Sequence, residues 1–185
     1  MKFTSNDTNP AIVTKMNPQQ RRNSAPVDVQ LLSLSLGFEF SKRQSPNRFL
    51  KGAMSERLSS YTLSGDGDEQ GIPSPELANL YRIWGEGNIG VIITGNIMVD
   101  VEHMEAAGNA VIPLTSPFHG QRFEAFSNIA SSGKKNGSLM IGQINHPGRQ
   151  CEAKLQKNPL SASDIQLEVR FPHLQFEDNM LNLLF

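Results

Sequence analysis

Cysteine, tryptophan and net charge are scarce in this 185-residue chain: one Cys (Cys151), one Trp (Trp84) and a formal charge of −1. One cysteine excludes an intramolecular disulfide and suits a reducing compartment, so cytosol is the expected location. Because 17 basic residues nearly balance 18 acidic ones, neither nucleic acid nor an anionic membrane is expected as a partner. The longest apolar runs fall far short of the ~20 residues that span a bilayer. The opening Met1-Lys2-Phe3-Thr4-Ser5-Asn6 has no apolar core, so no secretory leader is expected. No G-x-G-x-x-G follows a strand-like run, which counts against a dinucleotide-binding doubly wound domain.

What is there reads as alternating strands and helices. Residues 1–30 are polar and aperiodic and predict a flexible extension. Alternation over residues 31–40 predicts a strand or hairpin, and residues 49–55 a buried strand. Residues 59–73 read as a loop, in which Ser64-Gly65-Asp66-Gly67-Asp68-Glu69 resembles a calcium loop without the spacing or terminal Glu of an EF-hand. Ser74-Pro75 predicts a helix start, with Leu77, Leu80, Tyr81 and Trp84 as one apolar stripe and Gly85 and Gly87 ending it. Val91-Ile92-Ile93-Thr94 predicts a buried parallel strand. Ser116-Pro117 predicts a second helix start, with Phe123, Phe126 and Ala130 on one face and Gly133 near the end. A third strand is expected over residues 138–144.

This rhythm belongs to right-handed βαβ crossovers. The expected fold class is α/β, of (β/α)8 TIM-barrel type. A complete barrel takes about 250 residues, and only three strand units are evident, so the expectation is a barrel truncated to about its first three βα units. Its strand ends would fall at Ser55, at Thr94 to Asn96 and at Gln143 to His146, all on the rim where such barrels bind ligands. Hydroxyl and amides without clustered carboxylates suit hydrogen bonding to a planar heterocycle. No metal site is expected, because His103, His119, His146 and His173 lack ligand spacing with Cys151 or one another. His146 and Cys151 have the residue types of a nucleophilic pair but no identifiable third member.

Three motifs carry a resemblance. Asn47-Arg48-Phe49-Leu50-Lys51-Gly52-Ala53-Met54-Ser55-Glu56, Gly90-Val91-Ile92-Ile93-Thr94-Gly95-Asn96 and Gly142-Gln143-Ile144-Asn145-His146-Pro147-Gly148-Arg149-Gln150 resemble, in order and spacing, the first three strand motifs of the NADH:flavin oxidoreductases, the old yellow enzyme family. Pro159-Leu160-Ser161-Ala162-Ser163-Asp164 resembles the loop after the third strand. The resemblance implies a barrel holding non-covalent FMN, with NAD(P)H as hydride donor and a small-molecule electron acceptor, an activated alkene or similar. It implies that Ala53 and Met54 lie against the flavin ring, that Ser55 stands near its N5 and O4 and donates to O4, and that Gln143 meets the pyrimidine edge. Asn96 stands where the family often has a small residue touching the flavin. Arg149 reaches cofactor or substrate, or bridges charges across the rim, whereas Asn145 and His146 read as scaffold.

The family's acceptor-binding histidine pair and its phosphate site belong to later strands, so no catalytic residue is assigned. Residues 31–168 are expected to form the barrel portion and residues 169–185 a tail unlike the family. Two readings follow: an FMN-dependent oxidoreductase by family, or an inactive barrel fragment or interaction module whose open edges invite self-association.

Overall fold

The computed structural model describes residues 28–62, 67–163 and 165. Residues 1–27 of the expected extension, the first half of the calcium-like loop and the expected tail of residues 169–185 lie outside the described residues. Gly67–Glu69, the end of that loop, forms a short 3-10 turn.

Val29–Ser33 is a 3-10 turn rather than part of an extension or strand. The Asp28 carboxylate accepts from Gln30 N–H at 3.0 Å, and this local cap diverts the leucine alternation from a ladder. The expected hairpin begins later. Strand β1, Leu36–Phe38, pairs antiparallel with β2, Arg43–Ser45. Only Leu50–Lys51 of the next predicted strand joins the sheet, as β3, and residues 52–58 leave it.

Helix α1, Pro75–Glu86, starts as its sequence dictates: Ser74 Oγ accepts from Leu77 N–H at 3.2 Å and Pro75 occupies the first turn. Its stripe is core. Leu77 and Tyr81 are buried, and with Ile92 and Ile129 they form a cluster against which Trp84 and Met140 pack. Helix α1 continues through Gly85 because that glycine is a crossing point. A Cβ there would stand 2.5 Å from Ser132 O and 2.7 Å from Gly133 O.

Strand β4, Val91–Met98, is longer than expected. Strand β6, Leu139–Asn145, runs parallel along one edge of it. Strand β3 pairs with β4 at Val91 and Ile92, while the two-residue β5, Ala110–Val111, pairs with it at Ile97 and Met98. Since β6 takes one edge of β4, β3 and β5 share the other at opposite ends. Helices α1 and α2 lie together on one side of this parallel sheet, joined to it through the core cluster.

Helix α2 spans Gly120–Gly133, three residues later than Ser116-Pro117 implied. Ser116 instead closes a turn onto Pro113 O, and Gly120, at φ +81°, provides the left-handed entry. The face that α2 buries is not the phenylalanine stripe. Ile129 enters the core, and Arg122 donates to Gln70 O at 2.8 Å and Val111 O at 2.7 Å. Phe123, Phe126 and Ala130 instead line an apolar groove of about 600 Å³ with Ile112, Leu114 and Phe118.

Gly85→Ala is expected to destabilise the chain by about 1–3 kcal/mol, although alanine is the better helix former by about 1 kcal/mol. Urea unfolding followed by circular dichroism checks this. Gly87→Ala, at φ −72° beyond the crossing, is the control and should be close to neutral.

Candidate functional site

The rim is set by an irregularity in β4. Ile93 stands opposite Ile141, but Asn96, not Gly95, stands opposite Gln143. One extra residue in β4 makes a bulge, and its consequence is directional. In unbroken register Asn96 would oppose Ile144; with the bulge it takes the same face as Gln143. The N–H groups freed by the bulge go to side chains. Gln143 N–H donates to Thr94 Oγ1 at 2.9 Å. Gly95 N–H reaches both Tyr81 Oη at 3.0 Å and Glu56 Oε1 at 3.1 Å.

Beneath that bulge lies a charged network that sequence periodicity did not reveal. Tyr81 Oη donates to Glu56 Oε1 at 2.6 Å. Lys51 Nζ donates to Ile93 O at 3.0 Å, stands 3.6 Å from Glu56 Oε1 and sits 4.0 Å over the Trp84 ring. Burial lowers the Lys51 pKa, and Glu56 only partly opposes that. Burial, reinforced by the bond to Glu56, raises that of Tyr81. A Cβ at Gly95 would overlap the Glu56 carboxylate and Met54 O, so glycine is required at this close approach.

Above the bulge, the polar strand ends converge. Ser55 Oγ lies 3.0 Å from Asn96 Oδ1 and 3.3 Å from Glu105 Oε2, and donates its proton to one of them. Glu105 Oε2 also accepts from Asn96 Nδ2 at 3.2 Å and Asn109 Nδ2 at 3.3 Å, and Arg57 Nη2 donates to Glu105 Oε1 at 3.1 Å. Asn109 Oδ1 takes Ala106 N–H at 2.6 Å, which fixes the loop carrying Glu105. The rim is therefore not the neutral cluster that its strand ends alone implied. A carboxylate from an irregular loop completes it, and no periodic pattern signals a residue so placed. Burial pushes the Glu105 pKa up, but the donors Asn96, Asn109 and Arg57 outweigh it, and the net direction is down.

Ser55 and Asn96 are thus hydrogen-bonded together, and Gln143 stands beside Asn96 by register. Ala53, Met54, Ser55 and Gln143 are exposed and Asn96 is half-buried. Among the described residues the Gln143 side-chain amide has no protein partner, so its donor and acceptor both remain uncommitted. The Ser55 proton is committed, which leaves its lone pairs to face outward. Donation to a carbonyl of a ligand would require breaking the bond to Asn96 or Glu105.

The histidines form a different arrangement. His103 Nδ1 is 2.7 Å from Asp100 Oδ2, and its ring lies 5.1 Å from that of His146. His146 Nδ1 accepts Gly148 N–H at 3.1 Å. Cys151 is buried, and burial raises its thiol pKa. These two commitments argue against a thiolate–imidazole pair. Asn145 Nδ2 points to Met98 Sδ at 3.8 Å, in keeping with a scaffold role. Among the described residues no group of three or more His, Cys, Asp or Glu has the geometry to hold a metal ion, and no helix is long and apolar enough to cross a membrane.

No protein-family model matches the chain. Over 142 residues it is 50% identical to the NADH-dependent flavin oxidoreductase nadA of Aspergillus parasiticus, covering 77% of this chain and 32% of that protein. It is 31% identical over 106 residues to the NADH-dependent flavin oxidoreductase iliE of Hypocrea jecorina, covering 57% of this chain and 24% of that one. This chain belongs to the NADH:flavin oxidoreductase, or old yellow enzyme, family. It therefore spans about a third of the length of the Aspergillus relative. The old yellow enzyme of Trypanosoma cruzi superposes with a TM-score of 0.59 over 74% of this chain and 36% of its own, at 18% identity. The old yellow enzyme from Pichia sp. AKU4542 superposes with a TM-score of 0.55 over 69% of this chain and 29% of its own, at 19% identity. These likenesses agree with the parallel βα sheet.

Glu105 has a lowered folded pKa, so its stabilising contribution is fully present above the ordinary carboxylate value of about 4.3 and is lost as pH falls through the lowered value. Melting temperature should therefore drop on acidification below that range. Glu105→Gln should melt lower than the parent at pH 7 and lose part of that acid dependence. A pH series of thermal unfolding curves measures both effects. Parallel curves for parent and variant would remove Glu105 from this role.

Proposed function

We propose that residues 31–168 form the amino-terminal portion, about the first three βα units, of an FMN-dependent NAD(P)H oxidoreductase barrel of ene-reductase type. The observation that carries the reading is the bulge that turns Asn96 onto the face of Gln143 while Ser55 is hydrogen-bonded to Asn96. It gathers Asn96 of β4, Gln143 of β6 and Ser55 from the segment after β3 into one polar edge beside the exposed Ala53 and Met54. The donor set suits a flavin ring. Gln143 offers an uncommitted donor and acceptor, the pairing that adjacent carbonyl and N–H groups on a pyrimidine edge require. Ala53 and Met54 supply backbone and apolar surface, and Ser55 presents a lone pair. When bound, FMN would supply hydride chemistry between NAD(P)H and a small-molecule acceptor such as an activated alkene. This chain's part is to orient the ring. The buried free Cys151 suits a reducing compartment, and cytosol is the proposed location.

A second reading is an inactive fragment or interaction module. Among the described residues β6 pairs only with β4, and an open parallel edge is a template for pairing with another copy. Concentration-dependent dimerisation in sedimentation velocity would support it, and a monomer at all concentrations would count against it.

Because every assigned contact lies at the ring, FMN and riboflavin should bind this chain with equal and weak affinity. Gln143→Ala should weaken both by about tenfold, the loss of roughly one good hydrogen-bond pair. Quenching of flavin fluorescence on titration measures this. Undiminished binding in Gln143→Ala would sink the ring-edge assignment, and a large preference for FMN over riboflavin would show a phosphate contact that the reading lacks.

A further inference from the structure

Just past Gln143, the turn after β6 forms a recess of about 530 Å³ that the ring-facing residues do not line. Its polar walls are His146, Gly148, Arg149, Gln150, Ser161 and Ser163, and among the described residues no Asp or Glu lines it. The two walls are close: a Cβ on Gly148 would stand 3.6 Å from Ser161 Oγ. Gly148 holds φ +54°, a turn that glycine adopts without strain.

The chemistry of this lining is one-sided. His146 Nδ1 is spent accepting Gly148 N–H, so the neutral ring carries its proton on Nε2 and presents a donor there. Ser161 and Ser163 add hydroxyls, and Gln150 adds an amide. Arg149 brings a guanidinium fork. Elsewhere in the chain Lys51, Arg57, Arg82 and Lys135 are each held by a carboxylate. Arg149 has no ion pair among the described residues. The nearby Asp100 carboxylate is engaged by His103 at 2.7 Å. A concave site whose described lining brings a guanidinium and hydroxyls without a carboxylate favours an anionic oxygen group.

We propose that this recess binds an oxyanion, the phosphate or carboxylate of a small molecule, with Arg149 as its main ligand and Ser161 as a second. The shared chemistry has two sources: the phosphates of a dinucleotide hydride donor, or a carboxylate on an acceptor. The proposal stands on this lining alone and does not require that flavin bind.

The test is a two-dimensional amide NMR titration of the full chain with inorganic phosphate, with acetate and with NADH. Saturable shifts at the amides of Gly148, Gln150 and Ser161 are expected with at least one of them. Affinity should fall about tenfold or more in Arg149→Ala, be largely kept in Arg149→Lys and fall by a smaller factor in Ser161→Ala. Response to phosphate and NADH without acetate supports the dinucleotide source, and response to acetate alone supports a carboxylate. Response to both is a general oxyanion site. Absence of saturable shifts with all three probes, or equal affinity in Arg149→Ala and the parent, overturns the proposal. Because Arg149 is exposed, its variants keep the remaining spectrum as an internal check of folding.

Discussion

A strand that carries one residue more than its neighbour frees backbone groups that the ladder no longer serves, and in β4 everything near the rim depends on how they are served. An unsatisfied buried N–H costs about 1–3 kcal/mol. Gly95 N–H avoids that cost by meeting a carboxylate and a phenol at once. That solution creates its own demand, because Glu56 is then a nearly buried anion needing a cation. Lys51 supplies it at 3.6 Å, with its own ammonium on Ile93 O and over the Trp84 ring. Each member is tolerable only while the others stay in place, since removing one partner of a buried pair leaves an uncompensated charge.

The same irregularity gives the rim its direction. Parity along a strand assigns each side chain to one of two faces, and the extra residue reverses that assignment beyond Gly95. Asn96 consequently joins Gln143, and Ser55 reaches it from a segment that has already left the sheet. Glu105 then ties the two loops together through Ser55, Asn96, Asn109 and Arg57. Sheet and loops form one hydrogen-bonded unit, so a ligand on this face would meet groups already placed.

Much of the layout was legible in the residues because periodicity reports burial. Leu77, Tyr81 and Trp84 repeat at helical spacing and pack against the sheet, and Val91-Ile92-Ile93 sits in it as a parallel strand. The same logic is incomplete at Phe123, Phe126 and Ala130. Their stripe is real, but Ile129 and Arg122 face inward and the stripe lines an open groove. Spacing identifies a face without saying what covers it. Ser55, Asn96 and Gln143 were legible as polar residues following apolar runs, although β3 stops at Lys51 and β4 and β6 run on to Met98 and Asn145. Glu56, Glu105 and Asn109 were not, since they act from loops across long sequence separations.

The chain has a single indole, and it lies under the ammonium of that buried pair, in edge contact with Tyr81 at 5.0 Å between ring centres. Tryptophan emission from this protein therefore comes from one location, the seam between the sheet and α1. Its wavelength reflects whether a positive charge is still held against the ring, since a nearby cation shifts the energy of the excited indole. The protein carries an intrinsic optical gauge of the contact on which its rim is built, readable without a label and at any stage of refolding.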